Sequence, residues 1–135
     1  MKDTLKLNIL TPEKELFSGE IVELLSENEA GKFGILTNHV AMITKLVPCI
    51  TVIKQNDGKV LEIFTASGVL NLKENQIDIL CKAAEWPQDI DLARAEEAKK
   101  KSEMRLADKN GSNIDERRAE LALIRAISRI KLKNN

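Results

Sequence analysis

From Asp89 to Lys133 the chain runs without a proline and with a single glycine, Gly111. A stretch of that kind folds as helix, and the Asn110-Gly111-Ser112 interruption makes it two helices joined by a short turn. The first helix is expected to open after Pro87 with Asp89 as N-cap. The second opens with Asn113-Ile114-Asp115-Glu116, an N-cap residue with Glu three positions on, which is the capping-box arrangement. In the second helix Ala119, Ala122, Leu123, Ala126, Ile127 and Ile130 form one apolar stripe at three- and four-residue spacing. In the first, the inward candidates are mostly small: Ala93, Ala95 and Ala98, with only Leu92, Met104 and Leu106 large. A buried Leu or Ile stabilises by roughly 1.5–3 kcal/mol and alanine by much less, so the hairpin should dock weakly on whatever precedes it. Weak docking suits a part that moves.

Before Trp86 the period is two. Leu5, Leu7 and Ile9 alternate with Lys6 and Asn8, and Thr11-Pro12 ends that strand. A second run spans Glu20 to Ser26, and Glu27-Asn28-Glu29 with Gly31 reads as a loop. Met42–Leu46 and Cys49–Gln55 flank Pro48, and Asn56-Asp57-Gly58 is a strong hairpin turn before Val60–Ala66. Ser67-Gly68 and Glu74-Asn75 then separate two further strands, ending at Lys82. Short strands at even spacing indicate an all-β sandwich or barrel. The expected organisation is a β domain over residues 1–86 and a two-helix hairpin over 87–135.

No apolar run approaches the ~20 residues that span a bilayer, and Met1-Lys2-Asp3-Thr4 opens no signal-peptide core, so the expected location is the cytosol. The net charge of zero hides an asymmetry. Residues 1–87 hold 9 Lys/Arg against 12 Asp/Glu, and residues 88–135 hold 12 against 9. After Glu120 come Arg125, Arg129, Lys131 and Lys133 with no acidic residue. Such a helix either meets an acidic partner or carries cations that complement its own dipole. Arg118, Arg125 and Arg129, at offsets of seven and eleven, share one helical face.

Chemistry is sparse. His39 is the one histidine and has no Ser or Cys nucleophile motif beside it, and no Gly-rich phosphate loop is present. Cys49 and Cys81 stand 32 residues apart in apolar strands, outside any metal-ligand spacing, and read as reduced core residues. Catalysis by this chain alone and a metal site are therefore not expected. With aromatic residues at 3% and no basic surface in the β domain, nucleic acid is not an expected partner either.

Specific residues then carry a family resemblance over nearly the whole chain. They are Leu16-Phe17-Ser18-Gly19, Gly34-Ile35-Leu36-Thr37-Asn38-His39, Leu46-Val47-Pro48, Ser67-Gly68-Val69-Leu70, Asn75, Ala84-Glu85, and Arg118-Ala119-Glu120-Leu121-Ala122 with the basic positions after it. In this order the chain resembles the epsilon-subunit family of F-type ATP synthases, whose mitochondrial counterpart is called delta. The resemblance implies a ten-stranded β sandwich, a flattened barrel, with a C-terminal α-helical hairpin. It implies a non-catalytic rotor part packed on the gamma subunit and resting on the c-subunit ring. It also implies a peripheral position on the cytoplasmic face of the bacterial cell membrane, as part of the complex.

The segment Gly31–His39 resembles the part of the family that faces the c ring, which makes Gly31, Lys32, Asn38 and His39 candidate contacts. The family commonly has an acidic residue where this chain has Lys32, Pro where it has Thr37, and Gly where it has Cys49. The hairpin resembles a regulatory element that alternates between a compact state and an extended one reaching the catalytic alpha/beta head. There its basic helix meets an acidic segment of beta, and Arg118, Arg125 and Arg129 are the candidates for that contact. Two helices of about 20 residues, ~30 Å each, give the necessary reach.

No cofactor is required, but some family members hold the compact state with ATP through I-D-x-x-R-A. Ile90-Asp91-Leu92-Ala93-Arg94-Ala95 fits it, and Glu85, Arg105 and Arg118 match associated positions. Ile114-Asp115-Glu116-Arg117-Arg118-Ala119 fits the same pattern at the start of the second helix. An acid in a first helical turn with Arg three residues on produces both copies without any ligand. Regulatory ATP and plain helix-start chemistry thus both stand. So does an alternative in which the chain is a free-standing ATP-sensing module that closes its hairpin on nucleotide.

Overall fold

The computed structural model describes residues 3–108 and 113–135. The expected Asn110-Gly111-Ser112 turn and the capping box at Asn113 lie outside the described residues. Ten strands precede the helices: β1 Leu5–Leu10, β2 Glu15–Ile21, β3 Glu23–Asn28, β4 Gly31–Ile35, β5 Met42–Leu46, β6 Cys49–Lys54, β7 Val60–Thr65, β8 Gly68–Lys73, β9 Gln76–Cys81 and β10 Ala84–Glu85. They fold into two layers. One runs β4-β3-β6-β7-β10 and the other β5-β8-β9-β1-β2, and the layers join where Asn28 of β3 pairs with Leu46 of β5. All pairs are antiparallel except β1 with β9.

Period-two alternation accounts for the core. Leu5, Leu7 and Ile9 face inward from β1 and meet Leu24, Ile53, Ile63, Leu70, Leu72, Ile77 and Ile79 from the other strands. Three hydroxyls also point inward, and they satisfy one another. The Ser26 and Thr51 oxygens lie 3.0 Å apart and those of Thr51 and Thr65 2.8 Å apart, so the polar atoms carry little burial cost.

The structure redraws several expected boundaries. The single run Glu20–Ser26 is two strands, because the chain changes layers at Val22, whose N–H donates to the Lys54 carbonyl at 2.8 Å. Residues 27–31 are not one loop: β3 continues through Asn28, and Glu29-Ala30 turns the chain tightly into β4 with Gly31 at φ 122°. The first half of the Gly31–His39 segment is therefore strand. The Asn56-Asp57-Gly58 turn is present, with Gly58 at φ 88° and its N–H bonded to the Gln55 carbonyl.

Past Glu85, Pro87–Asp89 forms one 3-10 turn and not the start of a helix, with the Asp89 N–H on the Trp86 carbonyl. Helix α1, Leu92–Ala107, begins two residues later than expected, with Asp91 and not Asp89 as its N-cap. Helix α2, Asn113–Lys133, packs along α1 on one side and lies over β6 and β7 on the other. The inward stripes are smaller than the sequence indicates. Met104 is 73% exposed and Ile127 45% exposed, while the buried positions are Ala95 and Ser102 on α1 and Ala119, Ala126 and Leu132 on α2.

Cys49 and Cys81 are both buried free thiols, as their context indicates. Burial, and then the neighbouring Cys49, pushes the Cys81 thiol up to about 11. The folded chain thus keeps a proton that the unfolded chain releases near 9.0. The contribution is complete below pH 9.0 and is lost as pH climbs toward about 11. Urea unfolding at pH 8 and pH 10 should show a steeper decline for the native chain than for Cys81→Ala, by at most about 1.4 kcal/mol per pH unit. Parallel pH profiles would remove Cys81 from the account.

Candidate functional site

Two regions concentrate the candidate residues: the seam between hairpin and sandwich, and the tip where β4 leads to β5. At the seam Phe64, on the outer face of β7, forms a second small core with Ala66, Ile90 and Leu132. Leu132 comes from the last turn of α2 and Ile90 from the approach to α1, so this core staples both ends of the hairpin to the sheet. Around it stand polar ties. The Arg129 Nε donates to Glu85 Oε1 at 2.5 Å, and its guanidinium lies over the Phe64 ring, 4.4 Å from the centroid. The Lys133 ammonium donates to the Pro87 carbonyl at 3.0 Å.

The three arginines of one helical face have graded environments. Arg118 is exposed, Arg125 is half-buried, and Arg129 is committed to Glu85 and Phe64. Burial first, and then the like charge of Arg129, lowers the pKa of Arg125. Arg117, which the sequence did not single out, reaches Glu29 of the β3–β4 turn at 3.6 Å and Glu120 at 3.4 Å.

The I-D-x-x-R-A segment has a local explanation. Asp91 Oδ1 accepts the Arg94 backbone N–H at 3.1 Å, so the acid caps the helix and does not pair with the Arg94 guanidinium. Ile90 and Ala95 are buried, and Arg94 points to solvent. Glu85 and Ile90 belong to the seam, and Asp91, Arg94 and Ala95 follow Ile90 into the start of α1. Arg105 and Arg118 lie toward the other end of the hairpin. Arg105 is eleven positions along α1 from Arg94, about 16 Å. Ile114 and Asp115 of the second copy lie outside the residues whose side chains are described.

The tip candidates are likewise divided. Gly31 pairs with Asn28, at the end of the sandwich where Leu46 meets Gly68. Asn38 is at the opposite end, its N–H on Asn75 Oδ1 at 2.6 Å, with the Asn75 amide returning a bond of 3.3 Å. Asn38 at φ 64° and Asn75 at φ 62° use the left-handed region that asparagine tolerates. His39 Nδ1 bonds its neighbour's carbonyl at Val40. Beside Asn38 and His39 the chain exposes Leu36 and Val40, which lie between strands and carry no period, and Ile43, which faces outward from β5. One flat contact surface would engage Asn38 and His39 with these aliphatics, or Gly31 and Lys32, but not all four named candidates.

Comparison with known proteins settles what kind of chain this is. The family description "ATP synthase, Delta/Epsilon chain, beta-sandwich domain" matches residues 4–87, and "ATP synthase, Delta/Epsilon chain, long alpha-helix domain" matches residues 88–134. The chain belongs to the ATP synthase delta/epsilon family. It is 48% identical to the ATP synthase epsilon chain of Clostridium kluyveri over 132 residues, 98% of each chain. It is 51% identical to that of Clostridium botulinum strain Okra over 133 residues, again 98% of each. Among solved structures it resembles a chain of the Euglena gracilis mitochondrial ATP synthase, with a TM-score of 0.83 at 14% identity, covering 100% of this chain and 84% of that one. A chain from the Tetrahymena thermophila mitochondrial ATP synthase central stalk and c-ring gives 0.66 at 11% identity, with 96% of each covered. At these identities the structural likeness is one of fold.

Membership makes the chain a non-catalytic subunit of a larger enzyme. The geometry agrees in what it offers: hydrogen bonds, cations and apolar contacts arranged to hold surfaces together. Among the described residues, no cluster of His, Cys, Asp or Glu has the makings of a metal site, and no helix is long and apolar enough to cross a membrane.

Proposed function

We propose that the chain turns as part of the central stalk of a rotary ATP synthase on the cytoplasmic face of the membrane. In this reading the sandwich packs on gamma, and the Asn38–His39 tip with its exposed aliphatics rests on the c ring. Torque passing through it couples ion flow to ATP synthesis in the alpha/beta head. The hairpin restrains ATP hydrolysis when extended and is disengaged in the compact arrangement described above.

The observation that carries the regulatory part is Arg129. A residue suited to an acidic segment of beta is occupied here by Glu85 and Phe64, so the compact arrangement and the inhibitory contact compete for one guanidinium. The balance is a fine one. Among the described residues, the large apolar side chain that α2 buries in the seam is Leu132, worth roughly 1.5–3 kcal/mol. A partly buried ion pair and a cation–π contact each add about 1 kcal/mol. A few kcal/mol of differential binding is enough to move such an element.

ATP enters as a regulator of the compact state. Arg94 stands exposed in the first turn of α1, three residues after the capping Asp91, and makes no ion pair among the described residues. A helix start with a free guanidinium suits phosphate. The deciding experiment rebuilds the parent complex with the full chain and with a chain ending after Glu85. Faster ATP hydrolysis with the shortened chain is expected; equal rates would leave the sandwich as the working part and end the inhibitory reading.

A further inference from the structure

The seam fastens the C-terminal half of α2 over β7 and β10, and Arg117 ties its start to Glu29 of the β3–β4 turn. Between these ties, where Ile127 and Lys131 face β3 and β4, the helix leaves a groove with a cavity of about 630 Å³. Its floor is apolar: Leu25, Ile50 and Val52 from the outer face of the sheet, and Ile127 from the helix. Register explains the opening, since Leu25 sits between Val52 and Gly34, and Gly34 has no side chain to close the β4 side. This also gives exposed Ile127 a role that its place in the helical stripe did not.

Four charged side chains surround the floor, two of each sign. Lys32 and Glu27 face each other across β4 and β3, Glu62 lies beside Val52 on β7, and Lys131 is one turn beyond Ile127 on α2. None of the four forms an ion pair among the described residues. A head group with net charge gains from two of them and is opposed by the other two. A dipolar head gains from all four, with its cation toward the glutamates and its anion toward the lysines.

We propose that this groove binds a monomeric single-chain amphiphile with a zwitterionic head, its hydrocarbon body on Leu25, Val52 and Ile127. A volume of about 630 Å³ lies within the usual 300–1,000 Å³ of small-molecule sites. One wall belongs to the sandwich and the other to α2, so the ligand binds the compact arrangement and not an extended one, and occupancy stabilises the docked hairpin. The site depends on the packing of α2 and not on the regulatory reading, which is free to fail separately.

The test is methyl NMR on the full chain titrated with three decyl amphiphiles below their micelle concentrations: decylphosphocholine, decanoate and decyltrimethylammonium. Decylphosphocholine should shift the Leu25, Val52 and Ile127 methyls saturably, with a Kd about tenfold below either charged homologue. The pair Lys32→Glu and Lys131→Glu should turn the preference to decyltrimethylammonium, and Ser128→Trp, which fills the groove from the helix side, should abolish the shifts. Phosphatidylcholine vesicles should not sediment the chain, because the groove admits one chain and not a bilayer. Equal affinity for all three heads, an unchanged preference in the charge-reversed pair, vesicle binding, or shifts confined to Val69 and Leu80 on the other layer would each overturn the proposal.

Discussion

Phe64→Ala should destabilise the chain by about 3–5 kcal/mol and release α2 before the sandwich unfolds. The ring is fully buried although it points away from the sandwich interior, because Leu132 and the Arg129 guanidinium cover it. Truncation therefore removes the floor of the seam, the cation–π partner and the packing of Ile90 in one step. The informative comparison is Ile63→Ala, one residue earlier and facing the opposite way into the main core. That variant should lose roughly 2–5 kcal/mol by denaturant titration while α2 stays docked. Hydrogen exchange separates the two. In Phe64→Ala the α2 amides should lose protection ahead of β6 and β7, and in Ile63→Ala helix and strands should weaken together. Unchanged α2 protection in Phe64→Ala would show that the helix is anchored elsewhere.

The other large effect is expected at Gly68→Ala, at about 3 kcal/mol. A methyl group on Gly68 would stand 2.7 Å from the Cys81 Cα and closer still to the Leu80 carbonyl oxygen. Both neighbours are backbone atoms of β9, held by the Gly68–Cys81 pairing, so no side chain can rotate away and a strand must shift. Overpacking usually costs about 1–3 kcal/mol, and fixed neighbours place this position at the upper end. Gly19→Ala is the control, since its methyl would meet the Phe17 ring at an ordinary 3.5 Å. A midpoint shift in urea that is large for Gly68 and small for Gly19 is the expected result. Equal shifts would mean that the loss reflects glycine replacement in strands generally.

Family membership also changes how such losses should be read. A subunit held by partners has stability added by mass action, so the isolated chain is the sensitive place to measure them.

Much of this was legible in the sequence because it follows from local periodicity. Leu5, Leu7 and Ile9 announce an inward face by alternation alone, Asn56-Asp57-Gly58 announces its turn by the left-handed backbone that Gly58 adopts, and the proline-free stretch after Asp89 announces helices. Whole-length residue order carried the family. Element ends were harder: Asp89 was read as the first N-cap, and the 3-10 turn at Pro87–Asp89 moves the cap to Asp91. What the tertiary structure alone decided is where non-adjacent faces meet. Leu132 was not in the apolar stripe, yet it is the residue that docks α2. Ile127 was in the stripe, yet it lines an open groove. Arg129 was read as a cation for a partner, yet it is held by Glu85 and Phe64, 44 and 65 residues away. The c-ring candidates looked like one loop until β4 placed them at opposite ends of the sandwich. A side chain's face along its own element repeats every two or 3.6 residues and can be counted. Its partner across the fold depends on sheet order, crossover and helix tilt, which no single element encodes.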